Sequence, residues 1–194
     1  MTNLPQIKLG LVAVSRDCFP VELSRRRRDS VAAACGSLDI EITIIPTVVE
    51  NEIDTISALK EIQERSLNAL VVFLGNFGPE GPTSQLIQKF DGPVMLAAAA
   101  EESMENLIQG RGDAYCGLLN TSYNVGLRQL RPHFPEYPVG TADQVAEKIR
   151  EFIPAARAVL GVRNLKILGF GPRPQDFYAC NAPIKPLFDL GVEL

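Results

Sequence analysis

The run Ala69–Leu74 (ALVVFL) is the strongest constraint on the fold, because all six of its residues are apolar. A strand without polar residues has no face for solvent, so it belongs inside a sheet that is covered on both sides. Residues 93–99 (PVMLAAA) repeat this pattern, and residues 7–14 (IKLGLVAV) form a shorter β-rich run. Together these runs predict a parallel sheet between two layers of helices.

Segments with helical character separate the strands. Helices are predicted over residues 21–38, 52–66, 83–90 and 117–130, and a further strand over residues 39–45. The second helix is expected to be amphipathic, because its apolar residues recur every three positions (Ile53, Ile56, Leu59 and Ile62). Strand–helix–strand order with short connections favours an α/β fold with a three-layer parallel sheet of the Rossmann or flavodoxin type.

The last third of the chain is less regular. Residues 131–140 are expected to form a loop broken by prolines, and Thr141 and Gln144 have the spacing of a capping box. The helix that follows should kink at Pro154. A strand over residues 164–170, a helix over 184–190 and a strand starting at 191 indicate a second α/β domain. We therefore expect an N-terminal domain over residues 1–163 and the beginning of a truncated middle domain over residues 164–194.

Composition excludes several functional classes. The net charge of −4 and the pI of about 5.1 disfavour nucleic acid as a partner. No run approaches the roughly 18 apolar residues of a membrane span, and the first residues lack the basic region of a signal peptide. The four cysteines are scattered, which is typical of reduced thiols, so a cytoplasmic location without membrane association is expected.

Several kinds of site are also excluded or disfavoured. The turn after the first strand contains no glycine, so the dinucleotide-binding pattern is missing, and no P-loop is present. The single histidine, His133, stands among prolines and is expected to be solvated or locally packed. No carboxylate cluster accompanies it, so no metal site is predicted in this chain. The four arginines at positions 25–28 are expected on a solvated or intersubunit face, with contact to nucleic acid or to an anionic ligand as the alternatives.

Three loops carry the polar residues that a ligand would need. In open parallel sheets, ligands bind beyond the carboxyl ends of the strands. The segment 15–20 (SRDCFP) follows the first strand, 76–82 (NFGPEGP) follows the third, and 110–117 (GRGDAYCG) leads into the fourth helix. Hydroxyl-binding groups beside an aromatic ring suit a sugar, although ordinary loop and capping chemistry is the alternative explanation.

The order and spacing of four motifs provide a more specific indication: RDCFP (16–20), NFGPE (76–80), GDAYCGLLN (112–120) and RPQDFYAC (173–180). In this order, they resemble the N-terminal region of the L-fucose/L-arabinose isomerase family, and the similarity is greatest to the fucose-isomerase-like branch. The resemblance runs the whole length of the chain and implies the family's first domain followed by the start of its middle domain.

The resemblance implies a function that the residues alone do not. Members of the family are ketol isomerases that interconvert an aldose and a ketose through an enediol, typically with Mn²⁺. Two acidic residues and a histidine in the later domains hold the metal, so this chain would contain no catalytic residue and bind no metal. The N-terminal domain packs in a homo-oligomer and presents its first loop to the sugar.

Carried over to this sequence, the resemblance makes Arg16 and Asp17 contacts to sugar hydroxyls, with Asn76 and Phe77 lining the same opening. The substrate would be a sugar whose identity the motifs do not specify. The alternative is a non-catalytic sugar-binding or sensing module on the same α/β scaffold.

Overall fold

The computed structural model describes residues 4–103, 111–163, 165–171, 177–180 and 183–194. The chain divides into two compact units, one spanning Ile7–Ala156 and the other made of Met1–Gln6 with Arg157–Leu194. The domain boundary expected near residue 163 stays a prediction. Gly110 of the segment 110–117, Asn164 of the predicted strand and residues 173–176 of the RPQDFYAC motif lie outside the described residues.

The larger unit contains a five-stranded sheet in which every neighbouring pair is parallel. Its strands are β1 Leu9–Val14, β2 Thr43–Ile44, β3 Ala69–Leu74, β4 Val94–Ala99 and β5 Val139–Gly140. Their order across the sheet is β2-β1-β3-β4-β5, which is the flavodoxin-type order. The predicted α/β class with a parallel sheet is therefore confirmed.

Five helices belong wholly or largely to this unit: α1 Val21–Ser37, α2 Glu52–Glu64, α3 Glu80–Lys89, α4 Ala114–Leu127 and α5 Ala142–Arg163. Right-handed crossovers place α1 on one face of the sheet and α2, α3 and α4 on the other. In agreement, α3 packs between α2 and α4, whereas α1 and the start of α5 together line a shallow cavity. The result is the predicted three-layer arrangement.

The core is centred on the three long strands. Every residue of β1, β3 and β4 is buried. Among the largest fully buried side chains are Leu11, Phe73 and Met95, one from each strand. Burying a side chain of this size contributes about 1.5–3 kcal/mol, so these strands form a rigid support for the loops at their ends.

The structure corrects two sequence expectations in this unit. Residues 131–140 are not only a loop, because they contain β5 and a parallel bridge between His133 and Met95. In α2, Ile53 and Ile56 are exposed, whereas Thr55, Ala58 and Ile62 are buried. A spacing of three falls short of the helical period of 3.6 residues, so a row with that spacing turns away from the sheet.

The start of α5 agrees with expectation. The Thr141 amide donates to Gln144 Oε1 at 2.9 Å, and the Gln144 amide donates to Thr141 Oγ1 at 3.4 Å, which confirms the capping box. The helix continues through Pro154 to Arg163. Of the residues that the structure describes, none lies in a helix long and apolar enough to cross a membrane.

The smaller unit contains α6 Lys185–Asp189 and the 3₁₀ turn Tyr178–Cys180. Lys166 and Glu193 form a parallel bridge, with the Ile167 amide donating to the Glu193 carbonyl at 2.7 Å. The predicted strands over 164–170 and from 191 are therefore represented, among the described residues, by this single bridge. The predicted helix over 184–190 is present but shorter.

Candidate functional site

The candidate site lies where β1 and β3 end side by side. These strands are neighbours in the sheet, with Val14 paired to Leu74, but the crossovers after them run in opposite directions. The loops therefore diverge and leave a crevice beyond the carboxyl ends, which is where open α/β sheets bind ligands. We call residues 15–20 and 75–79 the switch-point loops.

Asn76 joins the two loops from the inside. Its side chain is fully buried, and its Oδ1 accepts the backbone amides of Arg16 and Gly78, each at 3.2 Å. Its Nδ2 donates to Ser15 Oγ at 2.9 Å and to the Pro20 carbonyl at 3.3 Å. All four contacts are made within the protein, so the observed role of Asn76 is to fix the loops.

Arg16 lies at the opening of the crevice, above an aromatic pair. Its guanidinium carbon is 4.9 Å from the centre of the Phe77 ring, and this ring stacks on Phe19 with 5.9 Å between centroids. A cation held over an aromatic face gains about 0.5–1 kcal/mol when exposed. The Arg16 side chain keeps 42% of its surface accessible, so its donors can still reach a ligand.

Glu80 holds Arg16 from the other side. Its Oε1 lies 3.9 Å from Arg16 Nη1, and its Oε2 accepts a hydrogen bond of 2.7 Å from Asn124 Nδ2 on α4. The Arg16 guanidinium thus lies near both the Phe77 ring and the Glu80 carboxylate. Asp17, next along the loop, is exposed.

Helix α4 approaches the same loops very closely. A Cβ added to Gly117 would lie 1.7 Å from the Phe77 carbonyl oxygen, so only glycine fits there. The GDAYCGLLN segment thus has a packing explanation as well as a family resemblance. Its Tyr115 and Cys116 are exposed at the start of the helix.

A buried arginine connects α1 to the loop that follows β4. Arg27 is 5% exposed, and it donates to the Gly75 carbonyl through Nη1 at 2.8 Å and to Glu101 Oε2 through Nη2 at 2.9 Å. Glu101 also accepts the Gly112 amide at 3.2 Å. Residues 101 and 112 are thereby held together beside Gly75, at the base of the switch-point loops.

The expectation that all four arginines of α1 lie on a solvated or intersubunit face was wrong for two of them. Arg27 and Arg28 are buried, and Arg28 Nη1 donates to the Ile45 carbonyl at 3.0 Å. Arg25 and Arg26 remain exposed. Successive helical positions are about 100° apart, so when one face of α1 packs on the sheet, adjacent arginines must separate into inner and outer sets.

Among the residues that the structure describes, three ionisable groups have clearly shifted pKa values. Burial opposes ionisation of Glu101, but the Arg27 hydrogen bond and the Gly112 amide outweigh it, so the pKa of Glu101 lies below its usual 4.5. The hydrogen bond from Arg111 to Asp113 raises the pKa of the Arg111 guanidinium. Burial raises the pKa of the Cys35 thiol in α1 to about 11, so this cysteine is an inert core residue.

The donor sets that a metal would need are not assembled in the described residues. No group of three or more histidine, cysteine, aspartate or glutamate side chains is close enough together there to hold an ion. His133, the single histidine, is exposed, and its ring stacks on Phe152 with 5.6 Å between ring centroids. This agrees with the expected solvated or locally packed side chain.

Of the four residues predicted to contact a sugar, the structure brings Arg16, Asn76 and Phe77 into direct contact with one another. Sequence reasoning missed the contributions of Phe19, Asn124, Arg27 and Glu101. Of these, Phe19 alone lies within a loop motif, RDCFP. The arrangement offers guanidinium donors, a carboxylate acceptor and a stacking surface, which are groups that bind polyhydroxylated molecules.

Two solved structures align with much of the chain. An azoreductase from Bacillus anthracis is 11% identical, with coverage of 80% of this chain and 97% of its own and a TM-score of 0.33. An ABC transporter solute-binding protein from Bacillus halodurans with bound myo-inositol is 10% identical, with coverage of 76% and 63% and a TM-score of 0.32. Similarity this low carries no argument about function. No curated protein matches the chain.

The comparison with protein families is specific. The model of the fucose/sulfoquinovose isomerase N-terminal domain matches residues 10–163. This match runs from β1 to the end of α5 and includes both switch-point loops and the Arg27 contacts. It covers most of the chain and agrees with the resemblance inferred from the loop motifs. The chain therefore belongs to the family of the fucose/sulfoquinovose isomerase N-terminal domain.

Proposed function

We propose that this chain is the substrate-facing N-terminal part of an aldose–ketose isomerase. The family match supports an isomerase, and the geometry of the switch-point loops supports sugar contact. The single observation that carries the proposal is the position of Arg16, held over Phe77 and beside Glu80 at the mouth of the crevice with its donors accessible.

In the proposed role, Arg16 donates hydrogen bonds to sugar hydroxyls, and exposed Asp17 accepts them. Phe77, whose ring lies under Arg16 and against Phe19, lines the same opening. Asn76 acts from below by fixing both loops. In the reaction, a proton leaves carbon 2 of the aldose and is added to carbon 1, while the hydroxyl proton moves between the two oxygens, through an enediol. The groups that move these protons are proposed to lie outside this chain.

The proposed metal, Mn²⁺, also belongs outside this chain. The described residues supply no set of ligands for it, so no step of the reaction is assigned to a metal held here. We further propose a homo-oligomeric protein of the cytoplasm, with a small sugar as its ligand and neither nucleic acid nor membrane as a partner.

Kinetics of the full-length protein with Mn²⁺ test the proposal, with L-fucose and L-arabinose among the aldoses. Arg16→Ala should raise KM about tenfold or more, since a charge-assisted hydrogen bond contributes about 1.5–3 kcal/mol. Arg25→Ala is the matched control, because Arg25 is similarly exposed but lies on α1 beside Glu22. Equal KM values for the two variants would contradict the role of Arg16, and no conversion of any aldose would contradict the activity.

The 194-residue chain and the full-length protein together distinguish the isomerase from the alternative, a sugar-sensing module. If the chain is a sensing module, calorimetry on the 194-residue chain without metal should show sugar binding that Arg16→Ala weakens, while the full-length protein converts no aldose. The isomerase proposal expects conversion by the full-length protein and none by this chain alone.

A further inference from the structure

Helix α1 buries three polar side chains on the face that packs against the sheet. Ser24, Arg27 and Arg28 are 0%, 5% and 7% exposed. The inner face of a helix that packs on a sheet is normally apolar, and buried polar groups need hydrogen-bond partners. Each of the three donates to a backbone carbonyl at the carboxyl end of a different strand, which is the edge where the candidate site lies.

Two of these donors act on the strands from which the switch-point loops depart. Ser24 Oγ donates to the Val14 carbonyl at the end of β1 at 2.7 Å, and Arg27 Nη1 donates to the Gly75 carbonyl just after β3 at 2.8 Å. The Gly75 backbone also packs directly on α1, because a Cβ added to Gly75 would lie 2.5 Å from Ser24 Oγ. Helix α1 therefore contacts the chain where each loop begins.

The Arg27 guanidinium uses its other edges on the loop that follows β4. Its Nη2 donates to Glu101 Oε2 at 2.9 Å, and its Nε lies 3.5 Å from Glu102 Oε1. Glu101 in turn accepts the Gly112 amide at 3.2 Å. A guanidinium presents its donors in a rigid planar fork, so the positions of Gly75 and of the loop after β4 are tied to one side chain.

We propose that Arg27 is a positioning residue of the sugar-contacting site, and that it acts by fixing residues 75–79. The residue after Gly75 is Asn76, whose Oδ1 accepts the Arg16 amide at 3.2 Å. The next ring, that of Phe77, lies 4.9 Å from the Arg16 guanidinium carbon. Arg27 is too buried to contact a ligand, so it acts on binding through these residues. The effect on sugar binding rests on the proposed function, whereas the effect on the loops does not.

Arg27→Lys is the most direct variant, because it keeps the positive charge and removes the fork. A lysine ammonium is a compact point charge, so it cannot donate to the Gly75 carbonyl and to Glu101 in the same directions. In the full-length protein with Mn²⁺ and an aldose, KM should rise about tenfold while kcat stays within about twofold, which is the pattern of lost binding. The groups that move protons are proposed to lie outside this chain, so kcat should change little.

Arg28→Lys is the matched control. Arg28 is the next residue of α1 and is equally buried, but its described hydrogen bonds go to Asp29, Ile45 and Pro46, and none of these lies in a switch-point loop. A merely structural role for a buried arginine would give both variants the same kinetics. We expect the wild-type KM for Arg28→Lys, and an equal rise in KM for both variants would overturn the proposal.

Gly112→Ala perturbs the same contact while Arg27 is kept, so the proposal can still be tested if Arg27→Lys does not fold. The added Cβ would lie 2.5 Å from Arg27 Nη1 and 3.1 Å from the Gly75 carbonyl oxygen. This variant should raise KM as Arg27→Lys does. Gly126→Ala in α4 is its control, since nothing lies within 4 Å of the added Cβ there. Equal KM values for the two glycine variants would contradict the proposal.

Hydrogen exchange of the full-length protein without sugar tests the positioning separately from the activity. The amides of Arg16 and Gly78 both donate to Asn76 Oδ1. They should exchange about tenfold faster in Arg27→Lys, because the loops open more often, and at the wild-type rate in Arg28→Lys. A wild-type protein that converts no aldose would end the proposed function, while exchange would still decide the role of Arg27. Wild-type exchange rates in a folded Arg27→Lys variant would overturn that role.

Discussion

Asn76 and Asn51 are two asparagines whose side-chain oxygens make the same type of hydrogen bond in opposite environments. Each Oδ1 accepts two backbone amides, those of Arg16 and Gly78 for Asn76, and those of Ile53 and Asp54 for Asn51. Asn76 is fully buried, whereas Asn51 caps α2 at the surface. Asn76 also donates to Ser15 and Pro20, so the comparison sets a buried asparagine bonded through both ends of its amide against an exposed helix cap.

Asn76→Ala should lower the free energy of unfolding by about 3 kcal/mol, because several buried donors and acceptors lose their partner and water cannot replace it. Asn51→Ala should cost about 1 kcal/mol, the usual value for a lost N-cap. Urea unfolding of both variants measures the difference. Equal costs would mean that the Asn76 contacts do not hold the switch-point loops together.

Glu101 gives a pH dependence whose sign follows from its pKa. Because the pKa of Glu101 is below 4.5 in the folded protein, its ionised form stabilises the fold at pH values above 4.5. That contribution is lost as the pH falls through the lowered pKa. Glu101→Gln should therefore reduce stability at neutral pH and lessen the loss of stability on acidification.

The control for this variant is Glu102→Gln. Glu102 is the next residue, and its side chain is 66% exposed, with Arg27 Nε 3.5 Å away. Thermal unfolding between about pH 3 and about pH 7, a range that includes the usual carboxyl pKa, should show a flatter acid limb for Glu101→Gln only. The same flattening in both variants would show that Glu101 contributes no more than Glu102 to the pH dependence of stability.

Arg27 shows that the burial of a single side chain could not be predicted from its neighbours in the sequence. Four successive arginines indicate a solvated helix face when only charge is considered. The burial of Arg27 depends on carbonyl and carboxylate acceptors at Gly75 and Glu101, which are 48 and 74 residues away. Arg16 and Phe77 were found because they lie within the loop motifs, whereas Glu101 belongs to none.

At the scale of elements, the packing of α4 on the switch-point loops depends on Gly117. Gly117→Ala should lower the free energy of unfolding by about 3 kcal/mol, because the added methyl group would overlap the Phe77 carbonyl and force the helix away. Gly36→Ala is the matched control, since nothing lies within 4 Å of its added Cβ in α1. That variant should gain about 0.5–1 kcal/mol.

Chemical unfolding of both variants gives the comparison, and the near-ultraviolet signal of the tyrosines on α4 reports a displaced helix. A Gly117→Ala variant as stable as the Gly36→Ala variant would mean that α4 can move outward without cost. The close contact with the Phe77 backbone would then not position the helix.

Long strands were predictable at this scale, but helix ends were less so. The apolar runs place β3 and β4 to within one residue, because burial on both faces requires them. Helices α1, α2 and α4 are each followed, two residues after their last residue, by a residue with left-handed backbone conformation. These residues are Asp39, Ser66 and Gln129. Glycine usually occupies that position, so the usual signal for a helix end was missing.

β5 shows the other limit of prediction. It has only two residues, and they pair with Ala98 and Ala99 of β4. A pairing this short has no periodicity, and it forms because the edge of β4 offers free backbone groups. The sheet order likewise follows from right-handed crossovers and not from any single segment.

For the whole molecule, an exposed segment within the smaller unit predicts where proteases will cut the chain. Residues 165–171 are all exposed, and among them Leu168 and Phe170 are 79% and 92% exposed. Exposed segments with few packing contacts are preferred sites of proteolysis. Limited digestion with chymotrypsin should therefore cut first in this segment and leave the unit Ile7–Ala156 intact, as mass spectrometry of the products would show.

A chain truncated after Arg163 is the decisive comparison, because it keeps all of α5 and removes the predicted middle-domain residues. It should unfold cooperatively with the same Tm as the 194-residue chain, since the core strands and both switch-point loops lie before residue 157. A Tm lower by more than about 5 °C would correspond to a loss of roughly 1–2 kcal/mol. Residues 164–194 would then stabilise the first domain, and the boundary near residue 163 would be wrong.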